Sequence, residues 1–251
     1  MTLRAIIFDL GGTLIEYAGE YARWPDLETP GFAAAYRHLN QNGYHLPEFE
    51  RFKRIGFAML PGRWQAAVRG EKNLRLVDLL DGVLGELGVT GVPHPLLEEA
   101  AERYQHAICA QARPVPGGRE VLGQLKARGF QLGLLSNTMF TGAAHRADLE
   151  RFGLAPFFDT MLFSADLNKW KPTPAPFRHV LSELGVEPGA AVYIGDDPAS
   201  DVVGAKRAGM RAIHFQSSQR FGAADVAPDA QIQGLDELPP LLTRWAEDDA
   251  T

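Results

Sequence analysis

Five short apolar runs punctuate the chain: Ala5–Phe8, Leu132–Leu135, Met161–Phe163, Ala191–Ile194 and Ala212–Phe215. Runs this short, without polar alternation, suit strands buried on both faces. Between the last four the pattern takes on the helical period. Phe177, Val180, Leu181 and Leu184 fall at i, i+3, i+4 and i+7 ahead of Gly185, and Val202–Ala208 ends at Gly209. Each glycine stands where a helix C-terminus favours positive φ. Alternating strand and helix predicts an α/β fold with a parallel sheet and helices on both faces.

From about residue 17 to 113 the strand-like runs disappear and helical stripes replace them. Thr29 is placed to cap a helix with Pro30 in its first turn, and Phe32, Ala35, Tyr36 and Leu39 form one face before Gly43. A second helix is expected from about Pro47, broken or kinked at Pro61-Gly62. Leu76, Leu79, Leu80, Val83, Leu84 and Leu87 make the strongest stripe, closed by Gly88, and a fourth helix starts near Pro95. These stripes read as the packed core of an all-helical domain inserted after the first strand. The expected division is a core of residues 1–16 and 114–251 with an inserted unit of 17–113, hinged near 15–18 and 113–117. A terminal helix over Leu235–Trp245 precedes a short acidic tail, Glu247-Asp248-Asp249.

Composition narrows the function classes. The 251 residues carry a net charge of −6, which argues against a nucleic-acid-coating surface. One cysteine, Cys109, cannot form an internal disulfide, and no signal-peptide core or membrane span is visible. A cytoplasmic protein without membrane or nucleic-acid partners is expected. The scattered histidines show no ligand-like spacing for zinc.

Four polar constellations follow directly after predicted strands, so in a parallel sheet they converge on one crevice. The first, Asp9-Leu10-Gly11-Gly12-Thr13, ends a buried strand in a carboxylate and two glycines that can turn N–H groups toward an anion. A plain turn would look the same. In the second, Ser136-Asn137-Thr138, a hydroxyl and the amides after it suit phosphoryl oxygens, as they would an ordinary helix cap. The third, Lys169-Trp170-Lys171-Pro172, offers a cation held stiff by proline. The fourth, Gly195-Asp196-Asp197-Pro198-Ala199-Ser200-Asp201, crowds three carboxylates that repel one another unless a cation sits among them, and oxygen ligands suit Mg²⁺. Helix capping by Asp197 or Asp201 accounts for one of the three.

In order and spacing this set resembles the haloacid dehalogenase-like hydrolase superfamily, with the helical insert where that family's C1-type cap belongs. The resemblance implies a Rossmann-like core, Mg²⁺ dependence and phosphoryl transfer from a small phosphorylated substrate through an aspartyl-phosphate. It implies Asp9 as nucleophile, Ser136 as phosphate-binding hydroxyl and Lys171 as the charge-neutralising lysine, since Pro172 completes the family's Lys-Pro pattern. Gly12, Ser136 and Asn137 are implied in substrate binding. Asp9, the Gly11 carbonyl and Asp196 are implied as metal ligands, with Asp197 and Asp201 as supporting acids.

One position departs from the pattern. Phosphatases of this family carry a second aspartate two residues after the nucleophile as general acid and base, and here it is Gly11. Losing such a group costs on the order of 10²–10⁴ in rate. A substrate with a good leaving group needs little protonation, which makes aryl, acyl or anomeric phosphates the expected class. Two other readings stay open: a non-catalytic protein that binds a ligand or partner, and a metal-independent dehalogenase, whose pattern has an aromatic residue in place of Gly11 and no acidic metal site. Tyr17, Arg23, Trp24, Arg63, Trp64 and Trp170 are candidates for contacts above the crevice, and Glu16 for the missing acid.

Overall fold

The computed structural model describes residues 2–17, 24–216 and 225–248. Strand β1 (Ala5–Phe8) leads to a short β2 (Ile15–Tyr17), and four helices follow: α1 (Thr29–Gln41), α2 (Phe49–Val68), α3 (Leu76–Glu86) and α4 (His94–Cys109). The chain returns through β3 (Ala112–Pro114), α5 (Gly118–Ala127), β4 (Gln131–Ser136), α6 (Gly142–Arg151), β5 (Thr160–Phe163) and α7 (Ser164–Leu167). It then forms α8 (Pro174–Leu184), β6 (Ala191–Gly195), α9 (Val203–Arg207), β7 (Arg211–Phe215), β8 (Ala230–Ile232) and α10 (Leu238–Asp248).

Six strands make one parallel sheet in the order β5-β4-β1-β6-β7-β8. The chain builds β4 and β5 on one side of β1 and crosses to β6 on the other. The ends of β1, β4 and β6 therefore open on the switch point where ligands of such sheets bind. Side chains of β1 alternate in two-residue period. Ile6 and Phe8 join Leu122 and Leu125 of α5 and Leu241 and Leu242 of α10, whereas Ala5 and Ile7 join Phe177, Val180 and Leu181 of α8. Burial on both faces explains why the strand sequences are continuously apolar.

The helices α1 to α4 pack around a separate core that includes Phe32, Phe52, Leu79, Leu80, Leu97 and Tyr104. Met139, Phe140 and Trp170, from loops beside the sheet's C-terminal edge, enter this same core. The bundle thus sits over that edge. The chain's two crossings between sheet and bundle pair with each other, since β2 and β3 form an antiparallel ribbon with Glu16 opposite Arg113. This ribbon and β8 have three residues per strand, too few to leave a periodic signal in the sequence.

Several sequence expectations are corrected. Thr29 does not cap α1: its hydroxyl donates to Asp26 O at 2.7 Å, satisfying the turn before the helix, and Glu28 holds the cap position. Helix α2 is not broken at Pro61 but runs on to Val68, because Phe52, Leu60 and Ala67 are buried on both sides of the proline. Packing of that face outweighs one missing backbone bond. The terminal helix opens at Leu235, as expected, with a 3-10 turn (Leu235–Glu237) that runs into α10, and it continues through Glu247 and Asp248, while Asp249 and Arg23 lie outside the described residues. Among the described residues no helix is long and apolar enough to cross a membrane.

Candidate active site

Asp9 follows β1 without a break, its N–H donated to Ile194 O of β6 at 2.8 Å. The chain then turns back on itself, with Leu14 and Ile15 both donating to Leu10 O. Gly12 makes the turn with φ of +83°, and a Cβ there would overlap the Asp196 carboxylate. Its N–H, expected to face an anion, is donated to Ile15 O instead. Gly12 therefore serves the site by letting Asp196 come close. Gly195 does the same for Asp201, whose carboxylate a Cβ at 195 would overlap.

Lys171 lies at the centre. Its ammonium is buried and donates to Asp9 Oδ1 at 2.7 Å, Asp201 Oδ1 at 2.7 Å and the Tyr193 hydroxyl at 2.8 Å. Three donors thus meet three acceptors. Tyr193 passes the network on to Leu135 O at 2.6 Å. Lys169, the alternative lysine, is exposed.

Asn137 has a second role, through its side chain. Its amide clamps the backbone of residue 171, accepting from Lys171 N at 2.9 Å and donating to Lys171 O at 3.0 Å. The side chain is used in holding the lysine. Ser136 ends β4, is buried, and meets Asn137 O only at 3.5 Å, too long to commit its hydroxyl. The three acids after β6 separate. Asp197 caps the π turn Pro198–Val202 by accepting from Ala199 N at 3.0 Å. Asp201 accepts from Asp197 N and Lys171, leaving neither oxygen uncommitted. Asp196 is buried with Oδ2 lacking any hydrogen-bond partner.

Burial raises the carboxyls of Asp196 and Asp201 above their ordinary range, and the charge on Asp9 adds to both shifts. Burial alone would lower Lys171, but the charges of Asp201 and Asp9 outweigh it and hold the ammonium protonated. Oxygens of Asp9, Asp196 and Asp201 lie within 4.8 Å of one another. Two of the three buried carboxylates share one lysine, and an unpartnered oxygen remains at Asp196. This donor set, hard oxygens and net negative, fits a divalent cation such as Mg²⁺.

A sequence profile of the haloacid dehalogenase-like hydrolases matches residues 3–209. The chain belongs to that family. As a haloacid dehalogenase-like hydrolase it is an enzyme. It is 28% identical over 251 residues to the ribulose-1,5-bisphosphate 5-phosphatase of Halopiger xanaduensis, covering 95% of this chain and 99% of the relative. It is 31% identical over 184 residues to the glyceraldehyde 3-phosphate phosphatase of Methanopyrus kandleri, covering 71% and 76%. A crystal structure of a 2-haloacid dehalogenase from Pseudomonas syringae superposes with a TM-score of 0.72 at 31% identity, over 98% of this chain and 100% of that one. The Rossmann-like sheet of this hydrolase places all four motifs at one edge, as their spacing implied.

The remaining candidates are dispersed. Trp24, 42% exposed, lies 6.1 Å ring to ring from Trp64, which meets the buried Trp170 at 5.0 Å. Trp170 donates to Asn73 Oδ1 at 2.9 Å and Asn73 to Ala165 O at 2.9 Å, a clasp between bundle and sheet domain beside Lys171. Arg63 donates to Asp78 O within the bundle. Tyr193 was missed by sequence reasoning, although one tyrosine in an otherwise aliphatic buried strand was a usable signal.

Proposed function

We propose that this hydrolase is a phosphatase of small phosphorylated metabolites, with Asp9 as the nucleophile and Mg²⁺ as the cofactor. The observation that carries the reading is the buried Lys171 shared by Asp9 and Asp201 beside the unpartnered Asp196 oxygen. The two phosphatase relatives support the same substrate class.

Asp9 Oδ2 is the oxygen not bonded to Lys171; in-line attack on phosphorus from there expels the ester oxygen and forms an aspartyl-phosphate, which water then cleaves to phosphate and free Asp9. Lys171 holds Asp9 in place and offsets the repulsion between carboxylate and phosphate. The Ser136 hydroxyl supplies a donor to a phosphoryl oxygen. Asp9 and Asp196, with the Gly11 carbonyl, would hold Mg²⁺, while Asp201 stays with Lys171. Bound there, the ion would neutralise phosphoryl charge and orient the ester. Residues 17–113 act as the cap that shields the reaction from water.

A second reading, haloacid dehalogenation, is favoured by the 31% identity to the Pseudomonas syringae structure. Asp196 weighs against it: its buried, unpartnered oxygen has no use in a cation-independent reaction, whereas Asp9 and Asp201 are both paired with Lys171. Turnover of a panel of phosphate monoesters with and without Mg²⁺, beside halide release from 2-haloacids, separates the two. We expect Mg²⁺-dependent phosphate release that falls by at least about 10³-fold in Asp9→Asn. A Cβ at Gly11 would make only an ordinary contact with Tyr17, at 3.8 Å, so the backbone position tolerates Gly11→Asp. We expect it to raise turnover of esters with poor leaving groups by about 10–10²-fold. Phosphatase activity surviving in Asp9→Asn overturns the mechanism.

A further inference from the structure

The space above Gly11 is bordered by Tyr17. A Cβ there would meet Tyr17 Cε2, the ring carbon next to the one that bears the hydroxyl. Tyr17 is half-buried and packs against both the sheet core and the bundle core. Its hydroxyl lies 2.8 Å from His145 Nδ1, and His145 Nε2 lies 2.7 Å from Thr138 Oγ1. Thr138 Oγ1 also accepts from Phe140 N at 3.0 Å.

The proton positions in this chain follow from its partners. His145 is buried between the rings of Phe140 and Phe163, and burial lowers its pKa to about 4, so near neutral pH it has one donor and one acceptor nitrogen. The Thr138 hydroxyl proton has one acceptor among the described residues, Nε2 of His145. Leaving it unpaired in a buried place costs about 1–3 kcal/mol. Three protons share two hydrogen bonds, so one hydroxyl proton is left over in either tautomer. The cost is lower at half-buried Tyr17 than at buried Thr138, so Nε2 accepts and Nδ1 donates the ring proton to the Tyr17 oxygen. The proton of Tyr17 is then left with no acceptor among the described residues.

We propose that Tyr17 donates a hydrogen bond to the leaving-group oxygen of the phosphate ester, next to the place where Gly11 has no side chain. The assignment rests on the phosphatase reading above. Asp9 forms its bond to phosphorus, the bond from phosphorus to the leaving oxygen breaks, and that electron pair stays on the leaving oxygen. Tyr17 stabilises this charge while keeping its own proton, and water supplies the proton that completes the alcohol. Burial, which raises the Tyr17 pKa well above its ordinary value, is consistent with donation without transfer. His145 and Thr138 are positioning residues that aim the phenol. A donor of this kind contributes most where the leaving oxygen bears most charge.

The test is the dependence of kcat/KM on leaving-group pKa across substituted phenyl phosphates with Mg²⁺, in wild type and Tyr17→Phe. Tyr17→Phe is expected to lose about 10–10²-fold on phenyl phosphate and less than about 3-fold on p-nitrophenyl phosphate, steepening the slope. In a Gly11→Asp background, where a carboxyl supplies the acid, the steepening should shrink. A uniform loss, or none, overturns the role of Tyr17 and leaves the phosphatase reading intact. A wild type that releases phosphate from no ester overturns both. If Tyr17→Phe fails to fold, His145→Gln is measured in its place. It keeps a partner for Thr138 but releases Tyr17, so an unchanged slope again overturns the assignment.

Discussion

Lys171 shows most directly how a single side chain ties stability to chemistry. A buried ammonium is tolerated because Asp9, Asp201 and Tyr193 take all three of its protons. Removing the cation leaves two buried carboxylates uncompensated. We expect Lys171→Met to lose about 3–5 kcal/mol of stability in Mg²⁺-free buffer, measured by denaturant unfolding, together with its turnover. Asp9 and Asp196 were legible in the sequence because each directly follows a continuous apolar strand, and Asp201 by its place in the acidic run after β6. Asn137 was legible only as a polar residue after such a strand. Its use as a clamp on residue 171 depends on a partner 34 positions away in the chain, a distance no local pattern spans.

Between elements, the contact of α1 with α4 carries a pH-dependent contribution. Gly31 in α1 lies where a Cβ would overlap the Tyr104 ring of α4. In this close packing the Tyr104 hydroxyl donates to Glu28 Oε2 at 3.0 Å. Burial raises the Glu28 pKa from 4.5 to about 7, against the lowering effect of Tyr104. The folded state therefore holds this proton more tightly than the unfolded chain. The resulting stabilisation is present below pH 4.5 and is lost as pH rises to about 7. Glu28→Gln keeps an acceptor for Tyr104 and removes the charge. We expect it to raise stability on the order of 1–2 kcal/mol at pH 8 and to have little effect at pH 4.5, read from melting temperatures at the two pH values.

For the whole molecule, the charge of −6 is less a general property of the surface than the sequence total implies. The four motif aspartates and the three acids of the C-terminal stretch exceed that excess, and Asp9, Asp196 and Asp201 are buried together. Such a cluster opposes folding when no cation is bound and favours it when one is. We expect Mg²⁺ to raise the melting temperature of the wild type. Asp196→Asn should melt higher than wild type without Mg²⁺ and lose most of the Mg²⁺-dependent gain. A wild type whose melting temperature ignores Mg²⁺ would count against the metal site. The amino-acid sequence by itself determined the α/β class, the parallel strands and the order of the motifs. Strands buried on both faces need continuous apolar residues, and the residues after them must turn into the crevice, so both leave local marks. Only the tertiary structure decided which acids are free to bind a cation, that Gly12 makes room for Asp196 and that Asn137 positions Lys171. It also placed Tyr17 above Gly11. These facts arise from contacts between segments far apart in the chain, where hydrogen-bond satisfaction and close packing act on positions whose neighbours in sequence say nothing about them.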